Sequence, residues 1–146
     1  MPLAGSKYLL RYRYRLKLNY HTQFFPMNNN NISIQDRTRY FANRVVKAYV
    51  ELNKKDFDNA GKVLFKQFLR AGTSIGANCS EAEFAQSRKD FLSKYTIALK
   101  EASETRYWIN LIIDDELASV SRFTPMLKEL NEIIKILISI TKKLKE

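Results

Sequence analysis

The sequence predicts an all-α protein, an antiparallel up-down four-helix bundle behind a basic N-terminal extension. Three observations carry this expectation. The 146 residues hold only four Gly and three Pro, too few turn formers for a many-stranded sheet. Four long segments repeat apolar residues at alternating spacings of three and four, the period of one helix face. Short polar stretches such as Lys54-Lys55-Asp56 separate them, and short connections make neighbouring helices antiparallel. The bundle is expected over residues 36–146 and the extension over residues 1–35.

The extension carries Lys7, Arg11, Arg13, Arg15 and Lys17 and no acid. From Tyr8 to Tyr20 the pattern alternates, with tyrosines and leucines on one side and basic residues on the other. Three readings stay open. The segment is disordered or a non-native start, with Met27 as the true first residue; it forms a local hairpin; or it is an arm whose arginines meet phosphates and whose tyrosines stack on bases.

Helix one is expected from about Asp36 to Asn53, capped by Ser33 or Asp36. Phe41, Val45, Ala48 and Leu52 form its core face, and Tyr40, Val46, Tyr49 and Val50 widen the stripe. Helix two is expected from about Asp58 to Gln86, with Leu64, Phe68, Ala71, Ile75, Cys79 and Ala82 inward. Gly72 and Gly76 lie four apart in its middle, at roughly 1 kcal/mol each against Ala. That cost implies the close approach of a neighbouring backbone. The alternative is a kink near Asn78-Cys79-Ser80.

Helix three is expected from about Ser87 to Asp115, opened by a capping box of Ser87 and Asp90. Phe91, Tyr95, Ala98, Ala102, Thr105, Ile109 and Ile112 form a heptad seam. Helix four is expected from Thr124 to Lys145, with Thr124 as cap and Pro125 in the first position. Phe123, Leu127, Leu130, Ile134, Leu137, Thr141 and Leu144 face the core. Met126, Ile133, Ile136, Ile138 and Ile140 are surplus to one face, which predicts subunit contacts.

A polar ladder runs beside the apolar line of helix two: Gln67, Arg70, Ser74, Asn78 and Glu81. Helix three carries Lys94, Glu101 and Glu104. Antiparallel pairing about the Gln86–Ser87 turn sets Lys94 within reach of Glu81, and Arg70 within reach of Glu101 and Glu104. The ladder reads as a buried ion-pair network that fixes helix register. A di-iron reading of Glu101 and Glu104 fails for want of Glu-x-x-His motifs, since the only His is His21.

The stretch Gln67-x-x-Arg70-Ala71-x-x-Ser74-Ile75-x-x-Asn78-x-x-Glu81 carries a resemblance. So do Asp90-Phe91 and Ile97-Ala98-x-x-Glu101-Ala102-x-Glu104-Thr105-x-Tyr107-Trp108. Together they resemble the bacterial four-helix bundle family of 23S rRNA intervening-sequence proteins, related to the accessory variability protein of diversity-generating retroelements. The resemblance covers about residues 36–146. Ala82-Glu83 stand where the family usually has a Gly. It implies homo-oligomers, with a pentameric ring favoured. Among the retroelement relatives it implies binding of nucleic acid and of a reverse transcriptase.

Composition narrows the function. Lys and Arg number 25 against 15 Asp and Glu, a net charge of +10 that favours a polyanionic partner such as RNA or DNA. One Cys excludes an internal disulfide framework, and one His excludes a His-rich metal site. No apolar run approaches the roughly 18 residues of a membrane span. The expectation is a cytoplasmic, non-enzymatic protein without cofactor or metal and with a reduced Cys79. Candidate nucleic-acid contacts are Arg37, Arg39, Arg44, Lys47, Lys54 and Lys55. The alternative is a protein-interaction scaffold, such as an accessory subunit of a reverse transcriptase.

Overall fold

The computed structural model describes residues 32–146. The readings of residues 1–31, including the basic arm, His21 and the Met27 start, lie outside them. Four helices make up the described chain: α1 (Ile34–Leu52), α2 (Asn59–Ala82), α3 (Arg88–Asp114) and α4 (Val120–Lys145). Their contacts fix the directions. Thr38 meets Gly76 and Val45 meets Gly72, so α1 and α2 run antiparallel. Arg70 meets Glu101 while Glu81 meets Lys94, and Arg88 meets Leu144 while Arg106 meets Asn131. Each helix is therefore antiparallel to the next, and α4 returns against α1.

Local chemistry sets the ends. Ser33 Oγ accepts from Asp36 N at 3.1 Å, so α1 begins two residues before Asp36. Asp58 Oδ1 accepts from Gly61 N at 2.8 Å and caps α2. Ser87 Oγ accepts from Asp90 N, and the Asp90 carboxylate accepts from Gln86 N, one residue upstream of the usual capping-box partner. α2 stops at Ala82, four residues short of Gln86. Glu83, Phe84 and Ala85 tighten into successive i→i−3 turns, and no glycine is needed at this corner.

α3 closes on a Schellman motif. Leu117 N bonds Ile112 O at 3.0 Å and Glu116 N bonds Ile113 O at 2.9 Å. Glu116 takes the left-handed position at φ 57°, where glycine is usual.

The start of α4 differs from expectation. It begins at Val120 behind Ser119, and Pro125 lies inside the helix rather than at its first position. Thr124 is not the cap; its hydroxyl donates to Val120 O within the helix. Phe123 explains the extra turn. It is buried and packs edge-on against Phe68 at 5.8 Å, which draws the chain into helix before the proline.

The core is continuous. Phe41, Phe65, Phe68, Ile75, Ile109, Ile112, Leu130, Ile133 and Leu137 are fully buried. The expected heptad seam of α3 is buried from Tyr95 to Ile112. Thr38, Thr105 and Thr141 are buried too, but each hydroxyl donates to a carbonyl of its own helix. Val46 and Val50 were expected to widen the core stripe; they are 43% and 46% exposed on the outer side of α1.

α2 is unbroken through Asn78-Cys79-Ser80, so the kink does not occur. Gly72 and Gly76 are spent on α1. A Cβ on Gly72 would sit 2.7 Å from a Val45 methyl, and one on Gly76 would sit 3.2 Å from the Thr38 carbonyl. Ala71 and Cys79 are fully buried on the same helix. Burial pushes the Cys79 thiol up to about 11, so it stays protonated and unreactive.

Candidate nucleic-acid interface and the polar network

The six candidate contacts on α1 fall into different environments. Arg37 is clamped to Glu129 of α4: Nε donates to Oε1 at 2.6 Å and Nη2 to Oε2 at 3.1 Å. Both side chains are largely covered, with 24% and 10% of their surface left to solvent. The hydrogen bond to Glu129 raises the Arg37 pKa above its ordinary value. This pairing was not foreseen, because no local turn sets the register of α1 against α4. Arg37 is thus a structural cation, bidentate and directional.

Arg44 lies in the same seam, half-buried, with burial lowering its pKa and the charge of Glu129 opposing the shift. Arg39 pairs with Asp36 at 3.1 Å, and Lys54 with Glu51 at 2.5 Å, both within exposed helix turns. Lys47 and Lys55 are exposed and make no ion pair with any described residue. Of the six, Lys47 and Lys55 offer their charge most openly to a partner.

The polar residues of α2 and α3 meet as the antiparallel register requires. Lys94 Nζ lies 2.5 Å from Glu81 Oε2. Arg70 bonds Glu101 at 3.3 Å and also Glu104, while Gln67 Oε1 accepts from Arg70 Nε at 3.3 Å. Trp108 Nε1 donates to Glu104 at 3.0 Å. Trp108 and Arg70 together hold the Glu104 carboxyl below its usual range. Ser74 Oγ and Asn78 Nδ2 do not cross to α3; they donate to Arg70 O and Ser74 O of their own helix.

The network is a surface feature, not a buried one. Half of the Arg70 side chain is exposed, as is 58% of Glu81. The reason lies in the small residues beneath it. Ala71, Ala98 and Ala102 are fully buried and bring the two backbones together, so the longer polar neighbours have room only at the rim.

Other chemistry is sparse. Among the described residues no group of three His, Cys, Asp or Glu could hold a metal ion. No described helix is long and apolar enough to cross a membrane. An open hollow of about 380 Å³ lies at the α2–α3 corner, lined by Ala82, Glu83, Ala85, Ser87, Arg88 and Phe91.

The chain is similar to a protein of unknown function from the S23 ribosomal protein family of Bacteroides thetaiotaomicron VPI-5482, whose crystal structure is known at 1.70 Å. The two are 46% identical and superpose with a TM-score of 0.68, over 75% of this chain and 99% of that one. No curated protein matches the chain. The profile of the 23S rRNA-intervening sequence protein family matches residues 30–139, from the start of α1 into the last turns of α4, with the whole polar network inside it. The chain belongs to the 23S rRNA-intervening sequence protein family.

Proposed function

We propose that the protein is a non-enzymatic, oligomeric bundle that associates with RNA, at the ribosome or elsewhere, through phosphate contacts. The observation that carries this reading is the charge left over after internal pairing. Residues 36–146 hold 20 basic and 15 acidic residues, and exposed lysines such as Lys47 and Lys55 have no ion-pair partner among the described residues. A homo-oligomer, with a pentamer favoured by the resemblance, multiplies that excess per particle. Many phosphates neutralised together release counterions, so binding weakens steeply with salt.

Anisotropy of labelled RNA and DNA at about 50 mM and physiological salt tests the reading. Replacing Lys47, Lys54 and Lys55 by Glu lowers affinity for all sequences alike and flattens the salt slope. No binding by micromolar wild-type protein at the lower salt overturns it. Arg37 is left out of this variant, because Glu there would face Glu129.

A second reading is favoured by a separate observation. Val46 and Val50 form an exposed apolar pair on α1, and Ile138 of α4 is 49% exposed. These suit a protein partner or a second copy of the chain. A cytoplasmic setting accords with both readings. Light scattering that returns about 17 kDa at micromolar concentration removes the oligomer from either one.

A further inference from the structure

Every other described phenylalanine is at least partly covered, but the Phe84 ring is 82% exposed. It stands on the tight α2–α3 corner, where Phe84 N bonds Glu81 O at 3.0 Å, beside the open hollow. The same end of the bundle collects cations. Arg88 Nη2 donates to Leu144 O at 3.2 Å, which ties the first turn of α3 to the last turn of α4. That bond sets Arg88 and Lys89 beside Lys142, Lys143 and Lys145, all exposed. None of the four lysines has an ion-pair partner among the described residues. The acids of the same segments are Glu81, paired with Lys94, Asp90, engaged with Gln86 N, and the exposed Glu83 and Glu146.

We propose that the Phe84 corner is a docking site for single-stranded nucleic acid, where the ring stacks on an unpaired base and Arg88, Lys89 and the α4 lysines hold the flanking phosphates. This rests on the RNA-binding reading and gives it a place and a strand preference. An exposed ring amid cations matches a base amid phosphates, and a duplex keeps its bases stacked away from such a ring. A second copy of the corner fits poorly, since it would set five cations against five.

The test uses the full chain with a labelled oligouridine and an RNA duplex of equal length. Stacking on an aromatic side chain predicts that Phe84→Ala weakens oligouridine binding roughly five- to 150-fold and leaves duplex binding unchanged. Phe84→Trp restores affinity and adds an emission that oligouridine quenches. Unchanged oligouridine affinity of Phe84→Ala, while the wild type binds, overturns the site but leaves the broader reading standing. Equal loss on both nucleic acids, or equal affinity of the wild type for polyglutamate, also overturns it. Failure of the wild type to bind any nucleic acid removes both.

Discussion

Two arginine sites in this bundle use the same chemistry in opposite settings. In the α1–α4 seam, Arg37 meets one carboxylate, Glu129, with little solvent left around either. On the α2–α3 rim, Arg70 meets two, Glu101 and Glu104, with half of its own side chain in solvent and Glu101 the most covered of the three. Sequence reading assigns them the other way round, with Arg37 free for a ligand and Arg70 buried. The difference teaches that the size of the neighbouring core residues decides which ion pairs are covered. Alanines under the rim leave no depth for Arg70, whereas the seam where α1 meets α4 covers both Arg37 and Glu129.

Breaking the covered pair gives the largest effect. Arg37→Ala strands the Glu129 carboxylate, and a loss of roughly 3 kcal/mol in urea unfolding is expected. Replacing both partners by Met and Leu recovers most of it, because the cost is the orphaned charge rather than the missing attraction. A loss below about 0.5 kcal/mol for Arg37→Ala equates the two sites and ends the contrast.

The glycine side of α2 comes next. Gly72→Ala drives a methyl against Val45, at an overpacking cost of about 1–3 kcal/mol that exceeds the helix-propensity gain of about 1. Val45→Ala in the same chain relieves the clash, and the cycle shows a coupling of at least about 0.5 kcal/mol. Additive effects would mean that α1 does not approach α2 this closely.

Much of this was legible in the residues and some was not. The helix faces follow from spacing alone, and the Arg70–Glu101 and Glu81–Lys94 pairings follow from counting back from one tight corner. Burial depth does not, because it depends on how closely Ala71, Ala98 and Ala102 let two backbones approach. Arg37 and Glu129 are 92 residues apart and joined by no turn, so nothing local announces them. Pro125 misleads for a different reason. A local start signal is overridden by the burial of Phe123 two residues upstream.

Arg70→Ala sharpens the comparison from the exposed side. The change in unfolding free energy should stay below about 1 kcal/mol, as for other solvated pairs. A larger loss would make the rim as costly to break as the seam.

The smallest effect is in pH. The Glu104 carboxyl titrates below its usual value of 4.5, with the Trp108 hydrogen bond the first cause and Arg70 the second. Its contribution is present above 4.5 and is lost as the pH falls through the lower folded value. Trp108 is the only tryptophan, so its emission reports the step directly. A transition at or above 4.5 would show that the bond to Glu104 is not made.

The order of the helices also shapes how the molecule comes apart. Three of the four helix contacts join sequence neighbours, and each can form as a local hairpin at small loop-closure cost. The fourth, α1 on α4, closes the ring of helices across nearly the whole described chain, and it is the sparsest of the four. Native-state hydrogen exchange should therefore find its lowest-energy opening as a parting along this seam, with α2 and α3 still paired. The Arg37–Glu129 clamp is then a latch on the last step of folding and the first step of unfolding.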